Sequence, residues 1–491
     1  MKNLFRSALS AALAGLMAVS SLAACGGQAD TAEEPEKTAA PESAAEQTEQ
    51  ETTTDYLSTL PETDMGGRKF TIVAQHTSER FNFPDEEKTG DVVNDAILER
   101  DNSVEERLNI KFDRLGYEDR GKLKTDVQKT ILAGDDAYDL IITSMSDGIN
   151  TLGPAGTLYD LNDLPHVDLT APWWNRSIHD DMQLLGHQLF TTGAISPFYY
   201  LSPIVMLFNK RLAEDHSLGD LYALVNEGGW HFDKFISMAE DLSYDIDSNG
   251  KMDYDDFYGF AADTTFGNAM YAAAGLDPIK TDGETYTLVI DSEESVGVIL
   301  RLADIFADKS RYNIFEGGAD ELQTMFKSGR CVFRSMNIFN FAIPYRDMED
   351  DYGVIPLPKY KESDEDYNVI CNTWGPTGTA VPITCKDPEY VGLVMETLAY
   401  TSYLTVGPAM YETALRGKAT RDSESYEMLE LIFRNVVFDL NTVFSFGGTS
   451  ELLRAAVCGL KPNFVSDYEK IKPKAQKALD DMIALVAENY G

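Results

Sequence analysis

The chain has 491 residues, 43% of them hydrophobic and 25% charged, which is more than one compact core holds. Lys and Arg total 41 against 81 Asp and Glu, and a formal net charge of -40 repels phosphate backbones and argues against a nucleic-acid partner. Beyond the first 25 residues no apolar run is long enough to cross a bilayer, which excludes a channel or a permease.

Residues 1–24 read as an export signal, with Lys2 and Arg6 ahead of an apolar stretch from Leu9 to Leu22. The sequence Leu22-Ala23-Ala24-Cys25-Gly26-Gly27 resembles the lipobox of bacterial lipoproteins. That resemblance implies a diacylglycerol thioether on Cys25, and two acyl chains suffice for stable attachment to a membrane. The alternative is an ordinary signal peptide with a chance cysteine. Residues 25–66 are rich in Ala, Glu, Thr, Pro and Gln and poor in large apolar side chains. Such a segment cannot offset the entropy of ordering, so a disordered acidic tether is expected.

The folded part is expected from about Arg68. Strands are predicted over 69–75, 109–115 and 139–144, separated by helices over 92–108 and 123–132. This alternation indicates an α/β sheet. A second α/β unit follows: strands at 204–209, 329–335 and 352–358, with helices near 232–242 and 292–308. The C-terminal third reads as helices over 388–403, 424–440, 450–459 and 467–489. Besides Cys25 there are Cys331, Cys371, Cys385 and Cys458, which allow three disulfide pairings or free buried thiols.

The segment Asp245-Ile-Asp247-Ser-Asn249-Gly250-Lys251-Met-Asp253-Tyr-Asp-Asp256 fits the loop pattern of an EF-hand, with Asp256 where Glu is usual. Asp245, Asp247, Asn249, the Lys251 carbonyl, Asp253 and Asp256 are the candidate oxygen ligands of a structural Ca2+, with Gly250 making the sharp turn. The competing reading is a solvated acidic loop. The six histidines are scattered without metal spacing, and no nucleophile elbow, phosphate loop or dinucleotide fingerprint occurs. No organic cofactor is expected.

An ordered set of segments carries a family resemblance: "NDAILERDNSVEERLNIKF" (94–112), "APWWN" (171–175), "LFNKRLAEDHSLGDLYALVNEGGWHFDKF" (207–235), "SGRCVFRSM" (328–336), "YGVIPLPK" (352–359), "AVPIT" (380–384) and "LAYTSYLTVGPAMYE" (398–412). Together they resemble a type II extracellular solute-binding lipoprotein of an ATP-binding-cassette importer, in the carbohydrate-uptake class. The resemblance implies a two-lobe periplasmic-binding-protein-like α/β fold with a hinge and a central ligand cleft. Lobe one would hold 67–197 plus about 366–405, and lobe two 200–358 plus about 406–491. It also implies a non-enzymatic monomer, lipid-anchored on the extracellular face. That monomer would capture a solute, an oligosaccharide in the first place, and pass it to permease subunits by lobe closure. A surface glycoside hydrolase, a sugar sensor or adhesin, and a peptide-binding receptor are the alternatives.

A sugar ring stacks its apolar face on an aromatic side chain and needs polar partners for its hydroxyls. Trp374, in the Gly/Pro-rich stretch 371–378, is the first candidate platform. Met336, Asn337 and Phe339 are expected in the loop after the 329–335 strand, and Phe339 is the nearest match to the stacking aromatic of maltose-type binding proteins. Gln75 and His76 end the first strand, Ser146 and Asp147 follow the third, and Trp174 and Tyr199 complete the set. Trp230 precedes an amphipathic helix and reads as packing.

Overall fold

The computed structural model describes residues 56–491 apart from 77–80, 316–318, 343, 346, 376 and 416–422. The export signal, Cys25 and most of the tether therefore lie outside the described residues. Folded structure begins earlier than the composition suggested. Tyr56–Thr59 forms a 3-10 turn, Leu60 is buried, and the Tyr56 ring lies 4.5 Å from that of Trp173. Tyr56, Leu57 and Leu60 here bury enough surface to order a segment that is otherwise polar.

The first lobe is built as β1 (Arg68–Gln75), α1 (Val92–Leu108), β2 (Ile110–Tyr117), α2 (Arg120–Leu132) and β3 (Leu140–Thr143). β1 runs parallel to both β2 and β3. β3 is buried along its whole length, as expected of a strand covered on both faces. α1 buries Val93, Ile97, Val104 and Leu108 on one stripe. The Asp91 carboxylate caps its first turn by accepting from the Val93 and Asn94 N–H groups. Asn109, in the left-handed region at φ 46°, ends the helix and releases the chain into β2.

The second lobe has β4 (Ile204–Asn209), α3 (Phe232–Ala239), β5 (Tyr258–Asp263), α4 (Thr265–Ala273), the hairpin β6 (Ile279–Thr281) and β7 (Tyr286–Leu288), α5 (Glu293–Phe306), β8 (Tyr312–Phe315), β9 (Cys331–Asn337) and β10 (Tyr352–Ile355). Its sheet order is β10-β4-β9-β5-β8. Trp230 is fully buried there and donates its indole N–H to the Pro356 carbonyl at 2.9 Å.

The chain then returns through β11 (Val369–Ile370) to β12 (Gly378–Ala380), which completes the first sheet in the order β12-β3-β1-β2. The 28-residue α6 (Pro388–Leu415) packs along α1. A buried Arg100–Asp101–Arg114 ion cluster lies at that junction, and Arg100 Nη1 donates to Ser402 Oγ of α6 at 3.2 Å. α7 (Ser423–Arg434), β13 (Val436–Val437), α8 (Thr449–Val457) and α9 (Phe464–Tyr490) close the second lobe. At the end of α9, Tyr490 donates its hydroxyl to the Gly153 carbonyl of the first lobe at 2.9 Å. Cys331, Cys371 and Cys458 are buried free thiols and Cys385 is a half-buried one, so of the open alternatives the unpaired state is the one found.

Candidate functional site

Two of the segments that carry the chain between the lobes run antiparallel to each other. Thr191 pairs with Thr379 at one end, and Pro203 pairs with Cys371 at the other. Thr192 Oγ1 donates to the Thr377 carbonyl at 2.7 Å, and the Asn372 N–H donates to the Ser202 carbonyl at 2.8 Å. This ribbon is the hinge candidate. It passes the carboxyl ends of the strands in both sheets, where open α/β sheets place their ligands.

On the first-lobe side, β3 ends into Ser144, whose hydroxyl donates to the Thr373 carbonyl at 2.9 Å. The same carbonyl accepts from the Met145 and Ser146 N–H groups at 3.1 and 3.3 Å. Gly148 leaves room here for Thr143, since a Cβ would stand 2.7 Å from that side chain and force it to shift. The crossing segment is thus nailed to the strand end, and the next residue, Trp374, projects outward with 55% of its surface exposed. Arg120, at the start of α2, lays its guanidinium 4.8 Å from the Trp374 ring centre. Its Nη1 also donates to the Trp374 carbonyl at 3.0 Å. Lys124, one turn further along, pairs with Asp147 at 2.8 Å.

Gln75 is nine-tenths buried, and its Oε1 has no hydrogen-bond partner among the described residues. The Ser146 hydroxyl, also buried, is in the same condition. Both are predicted site residues at strand ends, and an unpaired buried acceptor or hydroxyl there has capacity for an incoming partner. His76 is half-buried, with its ring 5.3 Å from that of Phe83.

An aromatic row crosses the hinge. Phe81, just after β1, lies 6.2 Å from Phe198 in the first crossing segment, and Phe198 lies 5.2 Å from Phe339 beyond β9. Phe339 is half-buried and Asn337 caps the short turn behind it, its Oδ1 accepting the Asn340 N–H at 3.1 Å. Trp374, Ser146 and Asp147 thus meet on the first-lobe side of the ribbon, Phe339 and Asn337 lie on its second-lobe side, and Gln75 and His76 stand at the end of β1 in the first sheet. Sequence reasoning did not find Arg120, Lys124, Phe81 or Phe198. The basic start of α2 was the one signal for the first two, and it is indistinguishable from a solvated helix end until the fold sets it against residue 374.

Three candidates are buried in packed surroundings. Met336 is not in a loop: β9 continues through Asn337, and Met336 is 1% exposed inside the sheet. Tyr199 is packed 5.7 Å from Phe433, and its hydroxyl accepts from Asn175 Nδ2 at 3.2 Å. Trp174 is 4% exposed, and its indole N–H donates to Glu396 Oε2 at 3.0 Å. Trp173 and Tyr56 donate to Oε1 of the same carboxylate, at 3.0 and 2.9 Å. Burial pushes the Glu396 carboxyl up to about 7, against the pull of these three hydrogen bonds. The paired tryptophans are thus core residues of the first lobe, held by Glu396.

The acidic loop lies between α3 and β5, remote in sequence from the ribbon. Asp245, Asp247 and Asp256 each bring a carboxylate oxygen to within 4.8 Å of the others. Gly250 takes φ 79° and donates its N–H to Asp245 Oδ2 at 2.7 Å. Asp245 Oδ1 is buried without a hydrogen-bond partner among the described residues. Asp256 is 1% exposed and accepts the Ile246 and Asp253 N–H groups. Asn249, Lys251 and Asp253 are exposed.

Residues 102–414 match the family of bacterial extracellular solute-binding proteins. No curated protein matches the sequence. Among solved structures, the fold is similar to a cyclo/maltodextrin-binding protein complexed with maltotetraose, with TM-score 0.54 and 14% identity over 87% of this chain and 98% of the other. It is similar to an ABC transporter solute-binding protein from Thermotoga lettingae bound with α-D-tagatose, with TM-score 0.50 and 15% identity over 85% and 100% of the chains. A third is the galacto-N-biose-/lacto-N-biose I-binding protein of the ABC transporter from Bifidobacterium longum, in complex with lacto-N-biose, with TM-score 0.50 and 14% identity over 84% and 98%. At these identities the likeness is one of fold.

Proposed function

The chain belongs to the bacterial extracellular solute-binding proteins, and from that membership we propose that its solute is a carbohydrate, an oligosaccharide in the first place. The observation that carries this reading is Trp374: an exposed indole held at the hinge ribbon, next to the strand-end turn that carries the unpaired Ser146 hydroxyl. A pyranose stacked there finds an apolar platform for its face and polar partners for its hydroxyls. The saccharides named with three proteins of the same fold point the same way. Capture works by differential affinity, since a ligand that touches Trp374 on the first lobe and Phe339 on the second favours the state in which the lobes close on it. The closed form then docks on permease subunits, as a monomer held to the membrane through a lipid on Cys25. The test is calorimetric titration of the purified protein with a panel of oligosaccharides. Saturable binding of at least one, with the saccharide recovered unaltered, supports the reading, and binding only of peptides overturns it.

A structural Ca2+ at the acidic loop is the second part of the proposal. Asp245, Asp247 and Asp256 would hold it, with Asn249, the Lys251 carbonyl and Asp253 completing the oxygen set. The converging carboxylates and the unpaired Asp245 Oδ1 support it. The ion would neutralise charge that otherwise repels itself and tie the end of α3 to the start of β5.

A further inference from the structure

We propose that Arg120 is a positioning residue for ligand binding: it fixes Trp374 as a one-sided stacking platform that travels with the first lobe. The inference rests on the carbohydrate reading of Trp374 and extends it to a residue that touches no ligand itself.

Trp374 belongs to a crossing segment, and nothing in its sequence position assigns it to either lobe. Its contacts do. The carbonyl of the residue before it takes three hydrogen bonds from the end of β3, at 2.9 to 3.3 Å. Its own carbonyl takes one from Arg120 at 3.0 Å. The indole is therefore pinned to the first lobe at both its backbone and its ring.

The plain alternative is that Arg120 is a surface cation paired with Asp147. The distances decide against it. Lys124 holds Asp147 at 2.8 Å, whereas Arg120 Nε stands 3.8 Å from that carboxylate. Arg120 makes its close contacts with Trp374, one to the carbonyl and one across the ring face at 4.8 Å. A planar guanidinium suits both at once, and lysine's point charge does not. One face of the indole is covered by the guanidinium, and the residue still keeps 55% of its surface exposed. A sugar ring can stack from the uncovered side alone, so Arg120 sets both the direction of approach and the rigidity of the surface that receives it.

The other three tryptophans make a direct test possible. Trp173, Trp174 and Trp230 are 7%, 4% and 0% exposed, so the fluorescence open to quencher comes from Trp374. Acrylamide is the quencher of choice, because iodide would respond to the change of charge itself. In the full chain, Trp374→Phe should abolish the quenchable component and so assign it. Arg120→Gln should raise the acrylamide quenching constant about 1.5-fold or more and weaken binding of maltotetraose about fivefold or more. Arg120→Lys should fall between the two. All variants should melt within a few degrees of the parent, because Arg120 sits at a partly exposed helix start. An unchanged quenching constant in Arg120→Gln overturns the proposal, and so does a raised constant with unchanged maltotetraose affinity. If the parent chain binds no saccharide at all, the carbohydrate reading fails, and the quenching series alone still decides whether Arg120 holds the indole.

Discussion

Glu396 and Trp374 show how two residues of one lobe come to opposite ends. Glu396 is buried and serves three neutral donors, two of them adjacent tryptophans. A Trp-Trp pair has no periodicity to orient it, so only the partner carboxylate, more than 220 residues away in the chain, reveals its place. Trp374 lies in a stretch of Gly, Pro and Thr that builds no strand of its own, and this made its exposure legible. Trp374→Ala should weaken saccharide binding about tenfold or more by calorimetry, through loss of the stacking surface. At the acidic loop, EDTA should lower the melting temperature and Ca2+ should restore it, since an ion bound only by the folded state stabilises by mass action. Asp245→Asn should remove most of that calcium response, and a melting temperature indifferent to Ca2+ in the parent chain would refute the ion.

Among the elements, β1, β3, β4 and α1 were readable because continuous apolar runs and a helical stripe need no tertiary information. Strand ends were less readable. Extending β9 by two residues moves Met336 from a loop into the sheet, and no turn residue marks the stop. The crossing ribbon was readable only as a Gly/Pro-rich stretch on one of its two sides. Its first side includes Gly193, with φ 150°, where a Cβ would stand 2.3 Å from the Trp173 carbonyl. Gly193→Ala should therefore cost about 2 kcal/mol by urea unfolding, in the range of other backbone-strain positions. A loss below about 0.5 kcal/mol would show that the ribbon yields there easily.

For the whole molecule, the excess of acid makes pH the natural variable. Burial raises Glu396 and Asp277 to about 7 and also raises Asp139 and Asp439. Between the ordinary carboxylate range and about 7, the folded state holds protons that the unfolded chain releases, so stability falls as pH rises through that window. The exposed carboxyls lowered by hydrogen bonds, such as Asp64 and Asp282, act below that window and with the opposite sign. The melting temperature should therefore be higher near pH 5 than near pH 7.5, and a rise across that interval would contradict the burial of Glu396 and Asp277. The two-lobe architecture itself was legible, because the order of α/β units and the family segments extend over most of the chain. The placement of Arg120 against Trp374 was not, because it joins residues 254 positions apart.

The central claim is that two lobes joined by the ribbon at Thr191–Pro203 and Cys371–Thr379 close on a saccharide held at Trp374. Small-angle scattering of the purified protein, with and without an oligosaccharide that calorimetry shows to bind, tests it most directly. The account predicts a smaller radius of gyration with ligand, lost in Trp374→Ala at the same ligand concentration. An identical scattering profile at saturation would contradict it.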